Sequence, residues 1–280
     1  MSGAFQKSSN TGNRRNVMRF TKMHGLGNDY LYVYGEVPEG IAELSRKLSD
    51  RHFGAGSDGM IYISPSETAD FKMRIFNADG SEAKMCGNGI RCVGKYVYDK
   101  GFTDQKTLTV ETLSGIKTLQ MQIRSGKVND VTVDMGQAQI IGEPEISVNG
   151  QSIPGVMVSV GNPHFVHFVD DADAVPLETI GPSIEKHPAF PDGINAEFVH
   201  VIKKDRIRMR VWERGSGVTM ACGTGACASA AAAVRKGLCS FSEPITVLLD
   251  GGPLTITVSP DFSVTMCGPA ETVYEGEIAP

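Results

Sequence analysis

Apolar and polar residues alternate in short runs along most of the chain, and only a few stretches carry the three-and-four spacing of a helix. The alternation predicts strands at 18–22, 30–34, 60–64, 71–77, 107–112 and 117–123. It predicts a second set at 156–160, 164–169, 197–203, 206–213, 245–249 and 254–258. Ile90, Val93 and Val97 recur at helical spacing before Gly101, and an alanine-rich run over 226–234 stops at Gly237. Further helices are expected over 40–51 and, shorter, near 177–186. The fold class is α+β, with two pseudo-symmetric domains of similar topology, each a mostly antiparallel sheet wrapped around a central helix.

The pattern repeats. Met73-Arg-Ile-Phe-Asn77 and Met209-Arg-Val-Trp-Glu213 lie 136 residues apart, and at the same offset Cys86-Gly-Asn-Gly89 falls on Cys222-Gly-Thr-Gly225. Five of these 17 aligned positions are identical. Upstream, Leu26-Gly27-Asn28 matches Val160-Gly161-Asn162; downstream, Thr109-Val110 matches Thr246-Val247, and Val131-Thr132 matches Val264-Thr265. Similarity kept in order over this length indicates a duplicated domain rather than a short-period solenoid. Residues 18–134 with 266–280 are expected to form one domain and 135–265 the other, with a last strand near 271–274 returning to the first. Residues 1–17, polar and aperiodic, are expected to be a disordered extension.

Composition narrows the function. The 280 residues are 41% hydrophobic and 21% charged with a net charge of −5, which argues against a nucleic-acid partner. No run approaches the roughly 18 apolar residues of a membrane span, and no secretory leader is evident, so a cytoplasmic protein with no membrane partner is expected. The six cysteines show neither C-x-x-C nor the count of a disulfide scaffold. Cys92 and Cys227 follow the motif cysteines by six and five residues, hence on different helical faces, so no zinc site is expected and no metal. These two, with Cys239 and Cys267, read as buried thiols. Gly54-x-Gly56-x-x-Gly59 has the spacing of a dinucleotide fingerprint but precedes a strand, so it reads as a loop.

Cys86 and Cys222 each stand where a loop enters a helix. Gly87, Gly89, Gly223 and Gly225 let backbone approach a ligand, and first-turn N–H groups attract a carboxylate and favour a thiolate. Two such helix starts from opposed domains would flank one α-carbon. That suits inversion, in which one base removes the proton and an acid on the other face returns it, with donors waiting for the charge on the carboxylate.

At this point the sequence resembles the diaminopimelate epimerase family from about Met18 to the end. The resemblance rests on F-T-K-M-H-G-L-G-N-D-Y (20–30), R-I-F-N-A-D-G-S-E (74–82), C-G-N-G-I-R-C (86–92), G-N-P-H (161–164), V-W-E-R-G-S-G (211–217) and A-C-G-T-G-A-C (221–227). It implies interconversion of LL- and meso-diaminopimelate in lysine biosynthesis, without pyridoxal phosphate or any other cofactor. By the same resemblance Cys86 and Cys222 are the catalytic pair. Asn28, Asn77, Asn162 and Asn195, with Glu213 and Arg214, hold the substrate, chiefly its distal end. Gly87-Asn88 and Gly223-Thr224 bind the reacting carboxylate, and His164 shapes the pocket near a cysteine. Gly59 and Met220 depart from the glutamines that some relatives carry at these places. A proline-racemase-like enzyme is the alternative isomerase, set back by Asn77, Asn195 and Arg214, which suit a longer polar substrate. A thiol-redox or non-catalytic amino-acid-binding protein is the alternative from another class. Besides the small-molecule substrate, a homodimer is kept as an open expectation.

Overall fold

The computed structural model describes residues 17–279, so nearly all of the expected N-terminal extension lies outside the described residues. The first half runs β1 (Met18–Gly25), β2 (Asn28–Tyr34), α1 (Ile41–Ser49), β3 (Gly59–Ser64), β4 (Phe71–Asn77), β5 (Glu82–Ala83), α2 (Gly87–Asp99), β6 (Thr107–Thr112), β7 (Gly115–Arg124) and β8 (Lys127–Gln137). After β9 (Gln139–Gly142) and a separate hairpin of β10 (Glu145–Val148) and β11 (Gln151–Pro154), the same order returns. It comprises β12 (Val156–Ser159), β13 (Pro163–Phe168), α3 (Leu177–Glu185), β14 (Asn195–Lys203), β15 (Arg206–Glu213), β16 (Gly217–Val218), α4 (Gly223–Arg235), β17 (Ile245–Leu249), β18 (Gly252–Val258) and β19 (Ser263–Pro269). The chain ends on β20 (Glu271–Ile278).

The duplication holds strand by strand. In the first half β1–β2 and β3–β4 pair antiparallel while β2–β3 and β4–β6 pair parallel. In the second, β12–β13 and β14–β15 are antiparallel while β13–β14 and β15–β17 are parallel. The halves also exchange strands. β9, which leaves the first half, pairs with β12 of the second, and β20, which leaves the second, pairs with β1 of the first. β8 and β19 join the halves by an antiparallel ladder. The molecule is thus a two-domain α+β protein, mostly of sheet, with α2 and α4 as the central helices.

These helices are enclosed for different reasons. α2 buries Ile90, Val93 and Val97 on one stripe. On α4, Ala226, Ala228 and Ala230 to Ala233 are fully buried together with Cys227 and Ser229, small side chains that let the helix lie close to the surrounding strands. One continuous core links the halves, containing Ile75 and Val97 of the first together with Val211 and Ile245 of the second.

Candidate active site

Cys86 and Cys222 are the N-caps of α2 and α4. Their backbones are extended (φ −138°, ψ 116° and φ −113°, ψ 107°), and each Sγ accepts the N–H three residues on, from Gly89 and Gly225, at 3.3 Å. Serine, threonine, aspartate or asparagine is the usual cap, and here a thiol stands in place of their side-chain oxygen. The two helix starts meet. A Cβ placed on Gly223 would stand 3.6 Å from Gly87 Cα, and Met266 lies beneath both: 2.9 Å from such a Cβ on Gly87 to its Cε, and 3.1 Å from one on Gly223 to its Sδ. Asn88 ties the halves together across this seam, its Nδ2 donating to the Ala221 carbonyl at 2.9 Å. Two positive helix ends brought together repel unless an anion lies between them.

The walls differ. On the first side the β1–β2 hairpin turns through Leu26 and Gly27, both at positive φ (57° and 87°), the signature of a two-residue turn. Asn28 follows, its Nδ2 donating to Asp58 at 2.8 Å and its Oδ1 accepting from Cys86 Sγ at 3.3 Å. Asp58 is in turn held by Arg51 at 2.9 Å. On the second side Asn162 Nδ2 donates to Thr224 Oγ1 at 3.3 Å, and Thr224 Oγ1 lies 3.6 Å from Cys222 Sγ. Asn162 Oδ1 meets His164 Nε2 at 3.0 Å, and His164 Nδ1 meets Glu197 Oε1 at 2.6 Å.

Burial dominates the electrostatics. It pushes the Cys86 thiol up from the ordinary value, against the Gly89 and Asn88 N–H groups that favour the anion. Burial, followed by the Glu213 and Glu197 carboxylates, pushes Cys222 well up, against Thr224 and Gly225. The helix starts act in the direction read from the sequence, but desolvation outweighs them. Glu213 is itself raised by burial, while accepting hydrogen bonds from Thr219 and Cys222 lowers it. Glu213 thus brings a carboxyl group to the side of the second thiol.

A duplicated α+β chain whose two central helices are each capped by a cysteine at a shared seam agrees with what comparison finds. The diaminopimelate epimerase family model matches residues 20–141 and 156–273, one block for each half. The chain belongs to the diaminopimelate epimerase family. It is 51% identical to the diaminopimelate epimerase of Acetivibrio thermocellus, over 93% of this chain and 98% of that one. It is 48% identical to that of Bacillus subtilis, again over 93% and 98%. Among solved structures it is similar to a hydroxyproline epimerase from Agrobacterium vitis (TM-score 0.73, 17% identity, 95% of this chain and 93% of that one). It is also similar to a Bacillus anthracis phenazine biosynthesis protein of the PhzF family (TM-score 0.76, 17% identity, 94% and 99%). At that identity these structures share the fold. Within its family the chain is an isomerase, an epimerase by reaction.

For a member of the diaminopimelate epimerase family, the remaining sequence-derived residues take distinct positions. Asn28, Asn88, Asn162, His164 and Thr224 surround the two cysteines through the bonds just described. Asn77 ends β4, with Nδ2 on Ser81 Oγ at 3.1 Å. Asn195 is buried and spans backbone on both sides, donating to Pro163 O at 2.8 Å and accepting from Arg214 N at 2.9 Å. Glu213 and Arg214 diverge: Glu213 turns to Cys222, whereas the exposed Arg214 reaches the Asp192 carbonyl at 3.0 Å. Gly59 tolerates no side chain, since a Cβ there would stand 2.2 Å from Phe76 O. Reading the sequence missed Asp58, which fixes Asn28, and Glu197, which holds His164. Glu197 left a signal, because the repeat places it opposite the buried Ile61.

Proposed function

We propose that this chain interconverts LL- and meso-diaminopimelate, a step of lysine biosynthesis, by a two-base mechanism at the α-carbon. It needs neither pyridoxal phosphate nor a metal. The observation that carries the reading is the seam at Gly87 and Gly223, where two helix starts, each capped by a cysteine, converge. The α-carboxylate enters between the helix ends, with backbone N–H groups of both as donors and Asn88 and Thr224 beside it. One sulfur, as thiolate, takes the α-hydrogen, and the other, as thiol, delivers one to the opposite face. Charge moves onto the carboxylate as the carbanion forms, so the donors bind the transition state more tightly than the ground state. The substrate ammonium supplies positive charge beside thiols that burial holds neutral. Asn77, Asn195 and Arg214, with Glu213 at the border, receive the distal amino-acid end.

The proposal extends to the molecule. Residues 18–134 with 266–280 form one catalytic domain and 135–265 the other, and the enzyme works in the cytoplasm as a homodimer. Incubated reduced in deuterium oxide with no added cofactor, the protein is expected to place deuterium at the α-position of meso-diaminopimelate. Exchange into proline instead, with none into diaminopimelate, would overturn the substrate assignment.

A further inference from the structure

The repeat allows each position near one cysteine to be compared with its mate near the other. In the parallel β2–β3 pairing Tyr32 faces Ile61, and in β13–β14 Val166 faces Glu197, so Ile61 and Glu197 are equivalent. Both lie under the first turn of the central helix. A Cβ on Gly89 would stand 2.6 Å from Ile61 Cδ1, and one on Gly225 2.8 Å from Glu197 Oε1. By the same register Tyr30 is the mate of His164. The first half therefore fills this slot with an aliphatic side chain, and the second fills it with a carboxylate that is wholly inaccessible, as is His164.

A buried carboxylate where an isoleucine fits is costly unless it performs a task. Its Oε2 has no hydrogen-bond partner among the described residues, and Oε1 meets His164 Nδ1 at 2.6 Å. The opposite ring nitrogen, Nε2, faces an amide oxygen, Asn162 Oδ1, which only accepts, so Nε2 carries hydrogen. With its oxygen so occupied, Asn162 turns its amino group to Thr224 Oγ1, and the threonine hydroxyl hydrogen is left for Cys222 Sγ. We infer that Glu197 is a positioning residue: by fixing the His164 ring and its hydrogen it sets the direction of a chain of hydrogen bonds that ends at the second cysteine. The inference rests on the epimerase reading for its kinetic consequence, and on geometry alone for the state of the histidine.

Two variants and one spectrum test it. In Glu197→Ile, which copies the first half, kcat is expected to fall about 10- to 100-fold, the range seen when a metal-binding histidine loses its orienting carboxylate, with KM within about twofold. Glu197→Gln keeps a partner for Nδ1 and is expected to recover most of the activity that Glu197→Ile loses. Histidine ¹⁵N spectra of the substrate-free wild type should show hydrogen on His164 Nε2, and Glu197→Gln should keep it there. A bare Nε2 in the wild type would overturn the inference, as would a Glu197→Ile kcat within twofold of wild type, or equal losses in both variants. Should Glu197→Ile not fold, the spectra and Glu197→Gln decide. Failure of the wild type to exchange α-hydrogen would instead overturn the epimerase reading, leaving the spectral test standing.

Discussion

Each motif cysteine caps a helix and, in the proposed mechanism, also meets the reacting carbon. Replacing Cys86 or Cys222 with serine keeps a better cap and removes the soft base, so the two jobs separate. Both variants are expected to lose at least 10²-fold in kcat while melting within a few degrees of wild type. Epimerisation at the wild-type rate in either would end the two-base mechanism. The other buried thiols give a different measurement. Burial raises Cys92 from 9.0 to about 11 and Cys227 from 9.0 to about 12. The unfolded chain releases these protons near pH 9 while the folded protein still holds them, so stability is intact below pH 9 and falls as pH rises from 9 toward 11–12. The denaturant midpoint is expected to drop over that window, with a shallower slope in a Cys92→Ala/Cys227→Ala protein. A slope unchanged by the double substitution would mean that other groups carry it.

At the scale of elements, glycines and alanines fix where the helices lie. Gly223→Ala drives a methyl toward the Met266 sulfur at the seam, where α4 also meets Gly87. The expected result is a rise in KM of roughly tenfold, about 1.4 kcal/mol, because the proposed carboxylate donors shift. Met266→Ala in the same chain should restore part of the loss, and no restoration would place the clash elsewhere. Along α4, Ala231→Leu is expected to cost about 1–3 kcal/mol by overpacking, measured as a lower denaturation midpoint. Most elements were legible in the sequence because alternation or helical spacing marks a half-buried strand or helix. All four helices and the thirteen expected strands, the last near 271–274 included, appear in place. β8 and β19 were not named as strands, although Val131-Thr132 and Val264-Thr265 had matched as repeat partners; their side chains alternate, but the runs are broken by glycine and aspartate. The β10–β11 hairpin has no mate in the first half and so no repeat to reveal it. At the site, the cysteines, glycines and asparagines could be read because both copies carry the motif. Glu197 left a fainter signal, since its meaning lies in differing from its mate, and the balance by which burial overrides the helix field left none.

For the whole molecule, the exchanged strands decide how the two domains behave together. β9 completes the second domain and β20 the first, so neither sheet is complete without a strand that follows the other's last. The β8–β19 ladder and the shared core bind them further. Unfolding either domain would strip strands and core contacts from the other, so a single cooperative transition is expected. The sequence provides a probe, since the only tryptophan, Trp212, lies on β15 in the second half. Its fluorescence should trace the same denaturant curve as far-UV circular dichroism, which reports both halves. Ile75→Ala, in the buried β4 of the first half, is expected to destabilise by roughly 2–5 kcal/mol and to shift the Trp212 curve by the same amount as the dichroism curve. If Trp212 kept its wild-type midpoint while the dichroism split into two steps, the domains would be energetically separate. The seam between Gly87 and Gly223 would then be a contact that opens at low cost, and the meeting of the two helix starts would owe its placement to the ligand rather than to the fold.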